Sequence, residues 1–296
     1  MIIASGSRPR TLDEDILGRD QAITSGRLTT LHSLSDARRV RDHLAATTHP
    51  ARILILGGGL VAAETASLFC QAGHDVALIA RSPLPGATAI GEHAAQRLLD
   101  LHRTQLSTHL GRTPRAIRTQ PGHLTIDLDD GTRAEGNLAI VAHGTVPAAP
   151  APWTGPDGIA VDDHLRHLHT PGQRLYAAGG VAAHHHHELG TYRIDHWDDA
   201  TAQGAHAAST LLHDLGLAND PGPYVPTSLF SARIHGHTLT GAGHPGLADA
   251  ARIASTDPLL IVHERNGLPI AATGLDAAPL VLQWRNRLFT RTSSAQ

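Results

Sequence analysis

The stretch that most constrains this chain is Arg52–Arg81, RILILGGGLVAAETASLFCQAGHDVALIAR. Five residues of buried-strand character, Arg52–Leu56, run into Gly57, Gly58 and Gly59. An alanine-rich helical pattern follows, Gly73 stops it, and a second apolar run occupies Val76–Ala80. Strand, turn, helix and strand in that order make a βαβ unit, and its turn reads G-x-G-x-x-A at Gly57, Gly59 and Ala62. Gly57 allows the tight turn, Gly59 lets a pyrophosphate approach the backbone, and Ala62 lets helix pack on strand. The helix start at Leu60 offers free N–H groups and roughly +0.5 of an elementary charge to phosphates. The expected ligand is NAD(P)H; the bland alternative is a glycine-rich turn that binds nothing. Ala80 lies 21 residues after Gly59, where NAD-binding folds place an acid for the ribose 2′-OH. Its loss, with Arg81 next door, favours NADPH over NADH, unless Arg81 is only a solvated loop arginine.

Composition narrows the partners. At 296 residues the chain holds two domains with sizeable cores. A net charge of -3 and a pI near 6.8 argue against nucleic acid or an anionic membrane surface. All the formal positive charge of the side chains is arginine, with no lysine, and His184–His187 form a run of four histidines. Both features read as compositional bias, the run as an elongated loop. The single cysteine, Cys70, reads as a core thiol and excludes an intrachain disulfide. No leader or run of membrane length is visible, so a cytoplasmic protein is expected.

Along the rest of the chain, Ile2–Ala4 reads as a strand, Pro9–Arg27 as a loop, and Leu31–Leu44 as a helix capped by Ser35. His49 and Pro50 break that helix. Glu92–Leu101 has helical spacing, Leu124–Leu128 alternates as a strand, and Asp129-Asp130-Gly131 makes a turn. Ala200–Leu215 reads as a helix, and short strands follow Pro221-Gly222-Pro223.

Several of these segments recur, in order, in a known family. Ile2–Arg10 (IIASGSRPR) resembles the ATG-x-x-P-R segment of FAD-dependent pyridine-nucleotide reductases, and Leu138–Pro147 their G-x-x-P turn. Gly158–Val181 resembles their second FAD motif, and Arg193–Gly204 (RIDHWDDATAQG) the R-x-E-H-W segment of the ferredoxin- and rubredoxin-reductase branch. The resemblance implies an α/β fold: a Rossmann-like NAD(P)-binding domain (49–147) inserted in an incomplete FAD-binding domain (1–48 and 148–222), then a small α+β interface domain (223–296). It implies cofactor contacts at Gly57, Gly58, Gly59, Leu60, Ala62, Glu64, Arg81 and Gly144, and flavin contacts at Ser5, Gly6, Arg8, Gly179, Gly180, Val181, His196 and Trp197. Glu64 could equally serve a surface ion pair, and Trp197 a small core.

Three departures all fall on FAD. The family's opening G-x-G-x-x-G strand is not seen in this chain. Its Gly-Asp, whose carboxylate accepts a hydrogen bond from the flavin ribityl chain, is here Gly179–Gly180. Its F-W-S-D-Q is reduced to Leu229–Arg233 (LFSAR). The expected function is hydride transfer from NAD(P)H to flavin and then electrons to an iron–sulfur ferredoxin, the absent FAD segment coming from a start upstream of Met1 or from a complementing chain. Exposed strand edges lead to the expectation of a homo-oligomer or of instability around those strands. The alternative is a degenerate reductase that binds a dinucleotide as a sensor or interaction module. No catalytic acid–base pair and no metal site is assigned, since the flavin carries the chemistry.

Overall fold

A computed structural model describes residues 1–47, 50–153, 155–169, 172 and 174–290. The expectation at His49 and the Thr170–Pro171 part of the second FAD motif lie outside these residues. The chain divides into two bodies: Met1–Arg8, Thr145–Ser231 and Leu239–Gln296 form one, Pro9–Gly144 and Ala232–Thr238 the other.

The second body is built on a five-stranded parallel sheet, in the order Leu28–Thr30, Leu138–Val141, Arg52–Leu56, Asp75–Ala80, Ser107–Leu110. Side chains alternate across a strand, so the unbroken apolar run Ile53–Leu56 must bury both faces. Leu54 and Leu56 pack with Ile117, Leu124, Ile126 and Leu128 of the antiparallel three-stranded sheet Pro114–Gln120, His123–Leu128 and Arg133–Gly136. Ile53 and Ile55 pack with Ala62, Ala66 and Phe69 of the helix Leu60–Gln71. The helix Glu92–Gln105 runs one turn beyond the expected end.

The first body holds short pairings and one larger sheet. Ile2–Ile3 pairs parallel with Tyr176–Ala177, and Ile159–Val161 pairs parallel with Ala182–His186. The helix Trp197–Asp214 buries Ala207 against Tyr176, Val181 and Tyr224. An antiparallel sheet follows in the order Leu229–Ile234, His237–Gly243, Leu268–Leu275, Leu259–Arg265, Ala250–Thr256, with the helix Ala278–Arg285 after it.

Four expectations need correction. Pro9–Arg27 is not all loop: Arg19–Thr24 is a short helix entered through Gly18 at φ 78, and its one buried residue, Ala22, left no apolar period to read. The next helix is Leu34–Ala45, capped by Ser33 rather than Ser35. Ser33 Oγ accepts from the Asp36 N–H while the Asp36 carboxylate accepts from the Ser33 N–H, a reciprocal capping box. The histidine run is not a loop: Ala182–His186 is a strand with His184 and His186 facing inward. Alternation is invisible in a run of one residue type. Domain limits also move. Residues 9–47 group with the βαβ unit, because Leu28–Thr30 pairs with Leu138–Val141, and most of 223–296 groups with the first body. Cys70 is half-buried, with its thiol raised in pKa by burial.

Candidate functional site: two glycine turns

In the second body the glycine turn closes the strand Arg52–Leu56. Gly57 sits at φ 147, its N–H donates to the Ile79 carbonyl at 2.8 Å, and any Cβ there would lie 2.9 Å from the Ala142 carbonyl carbon. Only glycine fits. Gly58 is half-buried, with Ala80 and Pro85 at contact distance. Gly59 is the exposed N-cap of the helix Leu60–Gln71; it offers no side-chain cap, and nothing lies within 4 Å of where its Cβ would be. No side chain caps the first amides of this helix, and such uncapped amides are the donors a phosphate accepts from. Leu60 is half-buried and Ala62 is fully buried where helix meets strand. Arg81 is exposed directly after Asp75–Ala80, and Gly144 is exposed with its carbonyl accepting from the Arg10 N–H at 2.9 Å.

Glu64 is exposed on the same helix, and its Oε1 accepts from the Arg233 N–H at 3.0 Å. One turn on, Ser67 Oγ accepts from the His235 N–H at 2.7 Å, and the His235 ring meets His102 with 2.8 Å between Nε2 and Nδ1. Burial holds His102 neutral, its pKa lowered to about 4. This segment, Ala232–Thr238, gave no signal in the sequence as a neighbour of the glycine-turn helix.

In the first body the second turn follows Tyr176–Ala177. Gly179, Gly180 and Val181 form a buried single turn of helix. The Gly179 N–H donates to Gln203 Oε1 at 2.9 Å, and Gln203 in turn donates to Asp199 Oδ2 at 2.6 Å. Asp199 is fully buried and accepts also from Tyr224 at 2.8 Å and Ser228 at 3.1 Å; burial raises its pKa despite these donors. Buried His184 and His244 belong to the same polar core, His184 joined to the Tyr192 hydroxyl at 2.7 Å. Ser5 and Arg8 are exposed; the Gly6 carbonyl accepts from the Ala148 N–H. His196 caps the helix Trp197–Asp214 through Nδ1, and Trp197 is 91% exposed.

At Gly180 the missing side chain has a visible reason. A Cβ there would run into the carboxylate of Asp195, with Cγ at 3.1 Å, and would lie 3.4 Å from Ser7 Cβ. Asp195 is exposed and Ser7 Oγ donates to its Oδ2 at 2.5 Å. Arg193 donates to the Gly180 carbonyl at 2.9 Å and the Thr145 carbonyl at 2.8 Å, fixing the segment that carries Asp195.

The family description "pyridine nucleotide-disulphide oxidoreductase" matches residues 1–204. The ferredoxin–NAD(+) reductase component of an anthranilate 1,2-dioxygenase system from Burkholderia cepacia is 30% identical over 218 residues, 72% of this chain and 51% of that one. The covalent putidaredoxin reductase–putidaredoxin complex superposes with a TM-score of 0.80 at 20% identity, over 96% of this chain and 68% of that one. An engineered water-forming NADPH oxidase, bound to NADPH, gives 0.73 at 20% identity over 97% of this chain and 68% of that one. The chain belongs to the pyridine nucleotide-disulphide oxidoreductase family. It spans about half the length of the curated relatives it matches. Among the described residues no helix is long and apolar enough to cross a membrane.

Proposed function

We propose that this chain binds NADPH in its second body and FAD in its first, as part of a reductase that passes electrons to a small iron–sulfur protein. The observation that carries the reading is the uncapped helix start at Gly59, where an added side chain would meet nothing within 4 Å. The Gly59 and Leu60 amides hold the pyrophosphate, Gly57 keeps the turn tight, and Ala62 keeps helix and strand in contact. Arg81 receives the 2′-phosphate, its guanidinium forming charge-assisted hydrogen bonds that NADH cannot satisfy.

The order of residues supports the choice of coenzyme. Five changes are named for the engineered NADPH oxidase: Gly→Ala, then eighteen residues on the consecutive Asp→Ala, Ala→Arg and Met→Ser, and five further on Pro→Arg, whose place at this spacing is Ala87 here. Here Ala62 is followed at the same spacing by Ala80, Arg81 and Ser82. Bound FAD would supply the conversion between two-electron and one-electron transfer. Gly6, Ser7, Gly179, Gly180, Asp195 and Trp197 are the residues of this chain offered to it. The iron–sulfur partner follows from relatives described as ferredoxin and rubredoxin reductases.

Calorimetric titration with NADPH and NADH tests the reading. NADPH should bind at least about tenfold tighter, and Arg81→Ala should remove that margin, about 1.4 kcal/mol. Failure of both coenzymes to bind overturns it. A colourless protein that NADPH stabilises would support the non-catalytic binding module instead.

A further inference from the structure

We propose that His102 and His235 are positioning residues of the glycine turn, a bonded pair that takes up one proton from solvent when a coenzyme pyrophosphate binds there. The inference rests on the nucleotide part of the proposed function and deepens it. Three observations within the second body converge. First, His102 is buried on the helix Glu92–Gln105 and lines, with Gly58, Gly59, Leu60 and Leu98, a cavity of about 10 Å³. That is the room of a single water, so nothing larger separates the ring from the turn. Second, His102 Nδ1 and His235 Nε2 lie 2.8 Å apart across one hydrogen bond, with the two rings at 86°. Third, His235 is held in place. It sits at φ 50 before Gly236 at φ 85, its N–H donates to Ser67 Oγ at 2.7 Å, and the Arg233 N–H donates to Glu64 Oε1 at 3.0 Å. Both acceptors lie on the helix that starts at the turn.

Two imidazoles joined this way offer three places for protons: the shared edge, His102 Nε2 and His235 Nδ1. The neutral pair fills two of them. One proton from bulk water fills the third and makes the pair a cation, with no other bond made or broken. His235 is half-buried and is the side that meets solvent. His102, whose Nδ1 is committed to His235, is left with Nε2–H as a donor for the turn. Burial opposes the added charge and lowers the pKa of both rings. His237, on the same hairpin, opposes it further, and the Glu64 carboxylate on the facing helix favours it. Leu78 of the neighbouring strand and Leu98 of His102's own helix bring no charge to the cavity. Two negative phosphates at Gly59 and Leu60 would tip this balance toward the cation. A pair whose proton affinity rises on binding makes the coenzyme bind more tightly as pH falls.

The test titrates the full 296-residue chain with NADP+, the acid-stable form of the coenzyme, by calorimetry at pH 7.5 and pH 5.5 in two buffers of different ionisation heat. Between those pH values the affinity of the parent, relative to His102→Gln, should rise about tenfold, the effect of one pKa unit on the pair. The parent should also take up more protons on binding than His102→Gln or His235→Gln, which keep a hydrogen-bonding side chain and lose the titration. The ligand's own phosphate titrates alike in all three and cancels. A loss of affinity by the same factor at both pH values, with proton uptake unchanged, would mean packing alone and overturns the proposal. Equal affinity and equal uptake in parent and variants overturn it too. Should His102→Gln not fold, His235→Gln decides, since its side chain is only half-buried. Failure of NADP+ to bind the parent at either pH brings down the nucleotide reading and this inference with it. Binding without excess proton uptake brings down this inference alone.

Discussion

Two glycine turns end two parallel strands in this molecule, and glycine does opposite things in them. At Gly57–Gly59 the backbone demands the residue, through φ 147 at Gly57, and the space beyond Gly59 is left open. At Gly179–Gly180 the space is already filled, by the Asp195 carboxylate beside Gly180. The first turn leaves the space beyond Gly59 unfilled, and the second makes room for another side chain of the same protein. A glycine read from sequence says only that no side chain is tolerated; the structure says what stands in its place.

The sharpest way to break the first half of that contrast is to substitute within one turn. Gly57→Ala forces a side chain into a backbone region reserved for glycine and against the Ala142 carbonyl, and should cost about 3 kcal/mol or more. Gly59→Ala meets nothing within 4 Å and should cost under about 1 kcal/mol, yet abolish measurable NADPH binding by standing where the phosphate lies. Urea unfolding and coenzyme titration of the two variants check the pair. Equal destabilisation would mean that Gly59 is structural, and the vacancy argument would fail.

Acid should separate the two bodies next. Burial lowers the pKa of His167, His184, His186, His206 and His244 in the first body, furthest at His184 (about 4) and His244 (about 3), and of His43, His102, His143 and His235 in the other, furthest at His102 (about 4). Each folded pKa lies below the unfolded value of about 6.5, so the unfolded chain takes up protons first as pH falls. Stability from these groups is whole above about pH 6.5 and falls by about 1.4 kcal/mol per pH unit for each of His184, His244 and His102 down to about pH 4. Asp199, whose pKa is raised, protonates first in the folded state and offsets part of this loss. Between pH 7 and pH 5 the amides of Ala182–His186 should therefore lose more hydrogen-exchange protection than those of Arg52–Leu56. Equal losses would remove the electrostatic distinction between the bodies.

How much of this was legible beforehand follows the kind of signal. The strand Arg52–Leu56, the helix starting at Leu60 and the strand ending at Ala80 were readable because apolar periodicity and glycine chemistry agree there. The strand at His184–His186 was not, because burial of a histidine depends on a distant partner such as the Tyr192 hydroxyl. Asp195 stands within a motif, but nothing local marks it as a neighbour of Gly180, since their meeting is set by tertiary packing across fifteen residues. The short helix Arg19–Thr24 and the seating of Arg233–His235 beside Leu60–Gln71 left no local pattern either. What sequence lacks is the identity of the group across a gap.

A smaller effect tests the polar core behind the second turn. Tyr224→Phe removes one of three neutral donors to the buried Asp199 carboxylate, whose Gln203 link reaches the Gly179 amide. The cost should be about 1–3 kcal/mol, because the carboxylate stays buried with one partner fewer. Raising pH should widen the deficit, as the acid ionises with one donor too few. A chemical melt at pH 6 and pH 8 checks this, and a loss that ignores pH would show the hydroxyl to be packing only.

The smallest expected change returns to the first turn and to Glu64. Residue type and position offered it either as a coenzyme contact or as a surface bond, and its Oε1 accepts from the Arg233 amide. Glu64→Gln keeps an acceptor oxygen and removes the charge, so this exposed bond should weaken by no more than about 0.5–1 kcal/mol. If the carboxylate serves only to seat Arg233–His235 against the helix, NADPH affinity should change less than about twofold, about 0.4 kcal/mol. A fall of tenfold or more, with stability unchanged, would return Glu64 to the coenzyme. The vacancy beyond Gly59 would then have a charged wall, and the two glycine turns would differ less than their backbones suggest: each would face a carboxylate.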